Sequence, residues 1–114
     1  MLLIRHSYLP QWWSLPGGKV KKGESPKETV VREVVEEIGT KIIPEFLTTV
    51  YSDREYKKVT IHLYTAHADR KSIEIDEVEI DEAEWFSKNN LPKNLGWLAR
   101  QAVSALQSQE FKNS

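Results

Sequence analysis

Glu33, Glu36 and Glu37 lie close together after Arg32, in a run that reads Arg-Glu-Val-Val-Glu-Glu. At about 100° per residue on a helix, with Glu33 at 0°, Glu36 falls near 300° and Glu37 near 40°. The three carboxylates then share one arc, almost opposite the valines that flank them. Like charges three and four residues apart on a helix repel, and a bound divalent cation removes that cost. Clustered hard oxygen ligands suit Mg²⁺ or Mn²⁺, which are held by a few carboxylates together with substrate phosphates. Arg32 is placed to brace one carboxylate through a bidentate contact. On the helix alone a solvated face is the commoner meaning of a charge run, so the weight falls on what surrounds it.

The helix itself is well specified. Ser25 serves as its cap, Pro26 suits its first position, and Glu28 completes a capping box. Val30, Val31, Val34, Val35 and Ile38 recur at helical spacing as an apolar face, and Gly39 supplies the stop. Upstream, Met1 to Ile4 reads as a short buried strand. It is followed by an irregular aromatic stretch, Gln11-Trp12-Trp13-Ser14-Leu15, and the turn signal Pro16-Gly17-Gly18. Downstream the period changes to two. Phe46 to Ser52 and Lys58 to Ala68 read as strands joined by a polar connection at Asp53 to Lys57. Further strands are expected at Ser72 to Ile75 and Ala83 to Phe86. A closing helix is expected from Asn94, with Leu95, Leu98, Ala102, Val103 and Leu106 as its apolar stripe. Strands interleaved with two amphipathic helices predict one α/β domain over residues 1–114, a sandwich whose mixed sheet is covered on both faces.

Composition narrows the classes of function. The 114 residues carry 16 basic and 17 acidic side chains, a formal net charge of −1, which argues against binding nucleic acid through bulk positive charge. With no cysteine, disulfide scaffolds, thiolate zinc sites and cysteine nucleophiles are excluded, and a reducing cytoplasm is the expected compartment. Apolar runs of only a few residues fall far short of the roughly 20 needed to cross a bilayer. Near-neutrality conceals segregation, because Glu74 to Glu84 holds seven acidic residues and no basic one.

From Gly18 the chain reads Gly, five residues, Glu24, seven residues, then Arg32-Glu33-Val34-Val35-Glu36-Glu37-Ile38-Gly39-Thr40. This resembles the Nudix box, G-x5-E-x7-R-E-U-x-E-E-x-G-U with U aliphatic, at every fixed position. Thr40 departs from the aliphatic preference and should affect packing more than chemistry. Trp13-Ser14-Leu15-Pro16-Gly17-Gly18 resembles the family's approach to the box. Glu84-Trp85-Phe86 with Leu91-Pro92 resembles its close, so the likeness spans about Leu2 to Pro92. The family normally has a complete strand before the segment that begins here at Met1. The Nudix-type α/β/α sandwich is therefore expected either to lack an edge strand or to receive one from a partner, and an exposed edge favours a homodimer.

The resemblance implies hydrolysis of a pyrophosphate linkage in a nucleotide-derived substrate, with water as nucleophile and Mg²⁺ or Mn²⁺ as cofactor. It implies Glu36 and Glu37 as principal metal ligands, the Gly17 carbonyl as a further ligand, and Glu33 as ligand or general base oriented by Arg32. Glu24, Gly18 and Gly39 take supporting roles. Among the acidic residues after Glu74, Glu79 best matches the additional catalytic glutamate of mutator-type members, with Glu77 and Glu82 as alternatives. Arg5 and Lys19, with Lys21 and Lys22, are candidate phosphate contacts, and Tyr8, Trp12 and Trp13 candidate base-stacking rings. His6 completes an Arg-His-x-Tyr pattern that names no substrate. His62 and His67 read as sheet residues. Nucleoside triphosphates and nucleoside diphosphate sugars such as ADP-ribose are the expected substrates, and no extended basic surface is present to track an RNA chain. The alternative is a non-catalytic Nudix-fold module that binds nucleotide or protein.

Overall fold

Strand β1 (Leu2–His6) sends alternate residues to opposite sides, and both sides are covered. Leu3 is buried with Leu95, Ala99 and Val103, whereas Ile4 is buried with Val34, Ile38 and Ile80. The first group belongs to the segment around helix α2 (Trp97–Lys112) and the second packs against helix α1 (Pro26–Ile38). The result is an α/β/α sandwich with β1 in its middle layer. The computed structural model describes residues 1–53 and 58–112. Of the polar connection expected at Asp53 to Lys57, the residues after Asp53 lie outside that range.

Among the described residues four strands form two antiparallel ladders. β1 pairs with β4 (Ile80–Trp85), from Leu2 opposite Trp85 to His6 opposite Ile80, with an irregularity between Arg5 and His6. β2 (Glu45–Ser52) pairs with β3 (Val59–Thr65). On its other edge β1 makes a bridge from Ile4 to Ser14, and the preceding residue, Trp13, makes a parallel bridge to Leu95. The Trp13 N–H donates to the Asn94 carbonyl, and the Gly96 N–H donates to that of Trp13. These bonds stitch the stretch before the glycine turn to the start of α2. Between the two ladders runs a groove of about 1170 Å³. Leu47, Ile61 and Leu63 line it from the β2–β3 ladder, and Val34 and Ala102 from the helices.

Several expectations need correction. Ser72 to Ile75 forms no ladder. A short 3₁₀ turn at Arg70–Ser72 is capped by the Asp69 side chain, and the extended chain after it serves the end of α1. There the N–H groups of Glu74 and Asp76 donate to the carbonyls of Ile38 and Glu37. The last carbonyls of a helix lack partners within it, and this segment supplies them. Val35 is exposed, while Thr29 is buried because its hydroxyl bonds both the Glu24 carboxylate and the Ser25 carbonyl. Helix α2 begins at Trp97, so Leu95 enters the core from the preceding bridge, and Ala99 joins the stripe. The capping box at Ser25 and Glu28 is present with both reciprocal bonds, and Gly39 closes α1 at φ 68°. Thr40 is buried and donates its hydroxyl to the Ser72 carbonyl, in keeping with a packing role. His67 lies beyond the end of β3. Among the described residues no helix is long and apolar enough to cross a membrane.

Candidate functional site

The three box carboxylates have three different environments, because they do not all oppose the apolar face. By helical geometry Glu37 sits only about 60° from Val34, whereas Glu36 sits about 160° away. Glu37 is accordingly 3% exposed, while the Glu36 side chain is 48% exposed. The Oε1 atom of Glu37 accepts the Gly17 N–H at 2.7 Å, and its Oε2 lies 3.4 Å from His6 Nδ1. Burial, opposed by the Gly17 bond and reinforced by the charges of Glu33, Glu79 and Glu36, pushes the Glu37 carboxyl up to about 7.

Arg32 is the hub of a second set of contacts. Its Nε and Nη2 donate to the two oxygens of Glu24 at 2.7 and 3.0 Å, and its Nη1 donates to Glu33 at 2.8 Å. A longer contact of 3.3 Å reaches Glu36, and Nη2 also reaches the Lys19 carbonyl at 3.3 Å. The fork of a guanidinium allows this, since one edge takes Glu24 in bidentate fashion and leaves another N–H for Glu33. Glu24 also accepts the Thr29 hydroxyl and the Lys21 N–H. These bonds, led by that to Arg32, hold its carboxyl down at about 2. Between them the two ends of the glycine turn are fastened to α1.

Glycine is required at both turn positions. Gly17 adopts φ 149°, which L side chains rarely adopt. At Gly18 a Cβ would stand 2.5 Å from the Glu33 carboxyl carbon, so any side chain there displaces Glu33.

A cleft of about 350 Å³ opens over these groups, lined by His6, Tyr8, Gly17, Gly18, Glu33, Glu37 and Glu79, with Ser7 and Val78. Glu79 is brought there because the Ser7 N–H donates to its carbonyl at 2.9 Å. Tyr8 is 78% exposed and lies against the His6 ring with centroids 5.0 Å apart. Burial, followed by the Glu37, Glu33 and Glu79 charges, raises its phenol above the usual value.

The structure does not gather every candidate. Arg5 shares the face of Leu3, where it is paired with Glu82 and lies 5.1 Å over Trp13, outside the cleft. That pairing also takes Glu82 away from the carboxylate group. Trp13 packs edge-on against Phe86 in the core, so it is withdrawn from base stacking. Lys19 and Trp12 border the large groove rather than the cleft. Sequence reasoning gave His6 no role, although the two-residue alternation of β1 places it on the α1 side with Leu2 and Ile4.

Among the described residues no three metal-binding side chains converge tightly enough to enclose an ion as they stand. The donor chemistry nevertheless fits a hard divalent cation. Glu33, Glu37 and Glu79 are oxygen donors on one cleft wall, and Glu36 is near enough that its charge, after burial and with those of Glu33 and Glu79, helps to raise the Glu37 carboxyl.

Comparison with known proteins bears on the family. The family model described as NUDIX domain matches residues 1–106. An ADP-ribose pyrophosphatase of Methanocaldococcus jannaschii is 38% identical over 103 residues, covering 82% of this chain and 57% of its own. A putative 8-oxo-dGTP diphosphatase of Bacillus subtilis is 32% identical over 92 residues, covering 81% and 60%. An RNA pyrophosphohydrolase of Nitratiruptor is 46% identical over 65 residues, covering 54% and 41%. The chain thus spans about half the length of these curated relatives. Among solved structures, a MutT NUDIX hydrolase from Burkholderia pseudomallei superposes with a TM-score of 0.80 at 28% identity, covering 91% of this chain and 85% of that one. With the box on α1, the glycine turn fastened beneath it and a matching family model over most of its length, the chain belongs to the Nudix family.

Proposed function

We propose that the chain hydrolyses a pyrophosphate linkage in a small nucleotide-derived substrate with the help of Mg²⁺ or Mn²⁺. The observation that carries this reading is the cleft in which the buried Glu37 and the Arg32-braced Glu33 face Glu79. An acidic cleft repels a polyphosphate on its own. Glu36 and Glu37, joined by Glu33 and the Gly17 carbonyl, are the groups that would hold the cation. When bound, the cation supplies neutralisation of phosphate charge and a lowered pKa for bound water.

The protein's own residues do the rest. Arg32 holds Glu33 in place through a short bond at 2.8 Å, while Glu24 locks Arg32 from behind. Glu33 and Glu79, both on the cleft wall, are the carboxylates placed to accept the proton of the attacking water. Exposed at the cleft mouth, Tyr8 offers a ring face to a nucleobase, and Lys19 stands further out for a terminal phosphate.

The relatives' names support a panel of nucleoside triphosphates, ADP-ribose and 5′-triphosphorylated RNA, assayed with Mg²⁺ and with Mn²⁺ and with the products identified. We expect release of nucleoside monophosphate from one of the small substrates. Replacing Glu36 with Gln should lower kcat by about 10³-fold, several kcal/mol of transition-state stabilisation. Because Glu36 is largely exposed, its replacement leaves the fold intact. Metal-dependent nucleotide binding without turnover would favour a non-catalytic module, and full activity of Glu36→Gln would overturn the metal assignment.

A further inference from the structure

The Glu37 carboxylate has a polar neighbour on each of two sides, one a hydrogen bond and the other a near approach. The Gly17 N–H holds Oε1, and this bond belongs to the glycine turn. On the other side stands a side chain from β1, with His6 Nδ1 3.4 Å from Oε2. His6 is 6% exposed, an unusual place for an imidazole unless it has a polar task. The strand brings it there by two devices. Period-two alternation puts His6 on the α1 side, and the register irregularity between Arg5 and His6 re-aims the end of the strand. Above it the Tyr8 ring closes over the imidazole, and between them the Ser7 N–H fixes the backbone of Glu79. His6, Ser7 and Tyr8 thus reach Glu37, Glu79 and the cleft mouth from one short segment.

We infer that His6 is a positioning residue: it fixes the second oxygen of Glu37, so that the carboxylate is already oriented when a divalent cation arrives. This rests on the assignment of Glu37 as a metal ligand. Groups that orient a ligand typically change metal affinity by about 10- to 100-fold when removed, without touching the ion. A core-filling role for the same ring predicts a different pattern, because it depends on volume rather than on nitrogen.

The test uses the whole chain and Mn²⁺ alone as probe. Calorimetric affinities and metal-free melting temperatures are measured for the parent, His6→Phe, His6→Asn, His6→Ala and Glu37→Gln. His6→Phe keeps a buried ring against Tyr8 and loses the nitrogen. It should hold its metal-free melting temperature while weakening Mn²⁺ about 10-fold or more. His6→Asn, which loses volume and keeps an N–H donor, should bind Mn²⁺ more tightly than both His6→Phe and His6→Ala. If His6→Phe fails to fold, the order of His6→Asn over His6→Ala decides. Mn²⁺ affinity of His6→Phe within twofold of the parent, or equal affinity of the Asn and Ala variants, overturns the inference. Glu37→Gln separates this from the failure of the metal site itself: if the parent does not bind Mn²⁺ more tightly than Glu37→Gln, the ligand assignment falls, and the inference with it.

Discussion

The glycine turn with α1 and the β2–β3 ladder are built on opposite plans. Around Arg32, side chains are fastened to side chains by charge-assisted bonds, and the positions of individual oxygen atoms follow from them. In β2–β3 the backbone ladder does most of the holding, and large rings stand in solvent, Phe46 at 57% and Tyr51 at 77% exposure. Leu63 is the buried apolar anchor of that ladder and faces the groove. One region fixes individual side-chain oxygens through short polar contacts. The other supplies a wall, which needs shape more than exact placement.

Three experiments press on this contrast. Leu63→Ala should cost about 2 kcal/mol, the low end for a buried leucine because the site borders open space. That is a fall of about 8 °C in melting temperature, with kcat per folded molecule within twofold of the parent. A large loss of kcat would show that wall and site are one tuned unit.

Arg32→Lys attacks the other plan. A lysine ammonium lacks the planar fork that takes Glu24 in bidentate fashion while a further N–H holds Glu33, so kcat should fall by about 10- to 100-fold while the melting temperature changes by only a few degrees. The reverse outcome, unchanged turnover with a large loss of stability, would make the cluster structural.

The smallest effect expected is one of pH. The folded protein holds the Glu37 proton to about 7, above the ordinary carboxyl value of 4.5, so the folded state binds this proton more tightly than the unfolded one. Metal-free stability from this group is therefore lost as pH rises through that window. Glu24 acts in the opposite sense, its contribution being lost as pH falls from 4.5 towards 2. Between pH 5 and pH 8 the metal-free melting temperature should drop by a few degrees, and saturating Mn²⁺ should abolish the drop. A flat metal-free profile would remove Glu37 from the account.

What could be read from the residues divides along the same line. The α1 helix was legible because its signals are local: a capping box, periodic valines, a terminal glycine and the spaced box residues. The same signals misplaced Glu37, since grouping it with Glu33 and Glu36 overlooked that it sits only about 60° from Val34 on the helix, on the side that β1 and the glycine turn cover. His6 escaped notice because its partner lies on another element. The Ser72 to Ile75 segment has the composition of a strand, and the open carbonyls at the end of α1 claimed its amides first. Arg5 looked like a phosphate contact until β4 placed Glu82 opposite it.

The bridge from Trp13 to Leu95 bears on how the protein is made. The stretch leading into the glycine turn is pinned on one side by β1, which precedes it, and on the other by residues that follow α1 in the chain. A domain generally folds as a unit, so the glycine turn, already bridged to β1, gains its second anchor only when the start of α2 is in place. The arrival of residues 94–96 then completes the support of the turn, whose contacts with β1 and α1 all come from residues made before them.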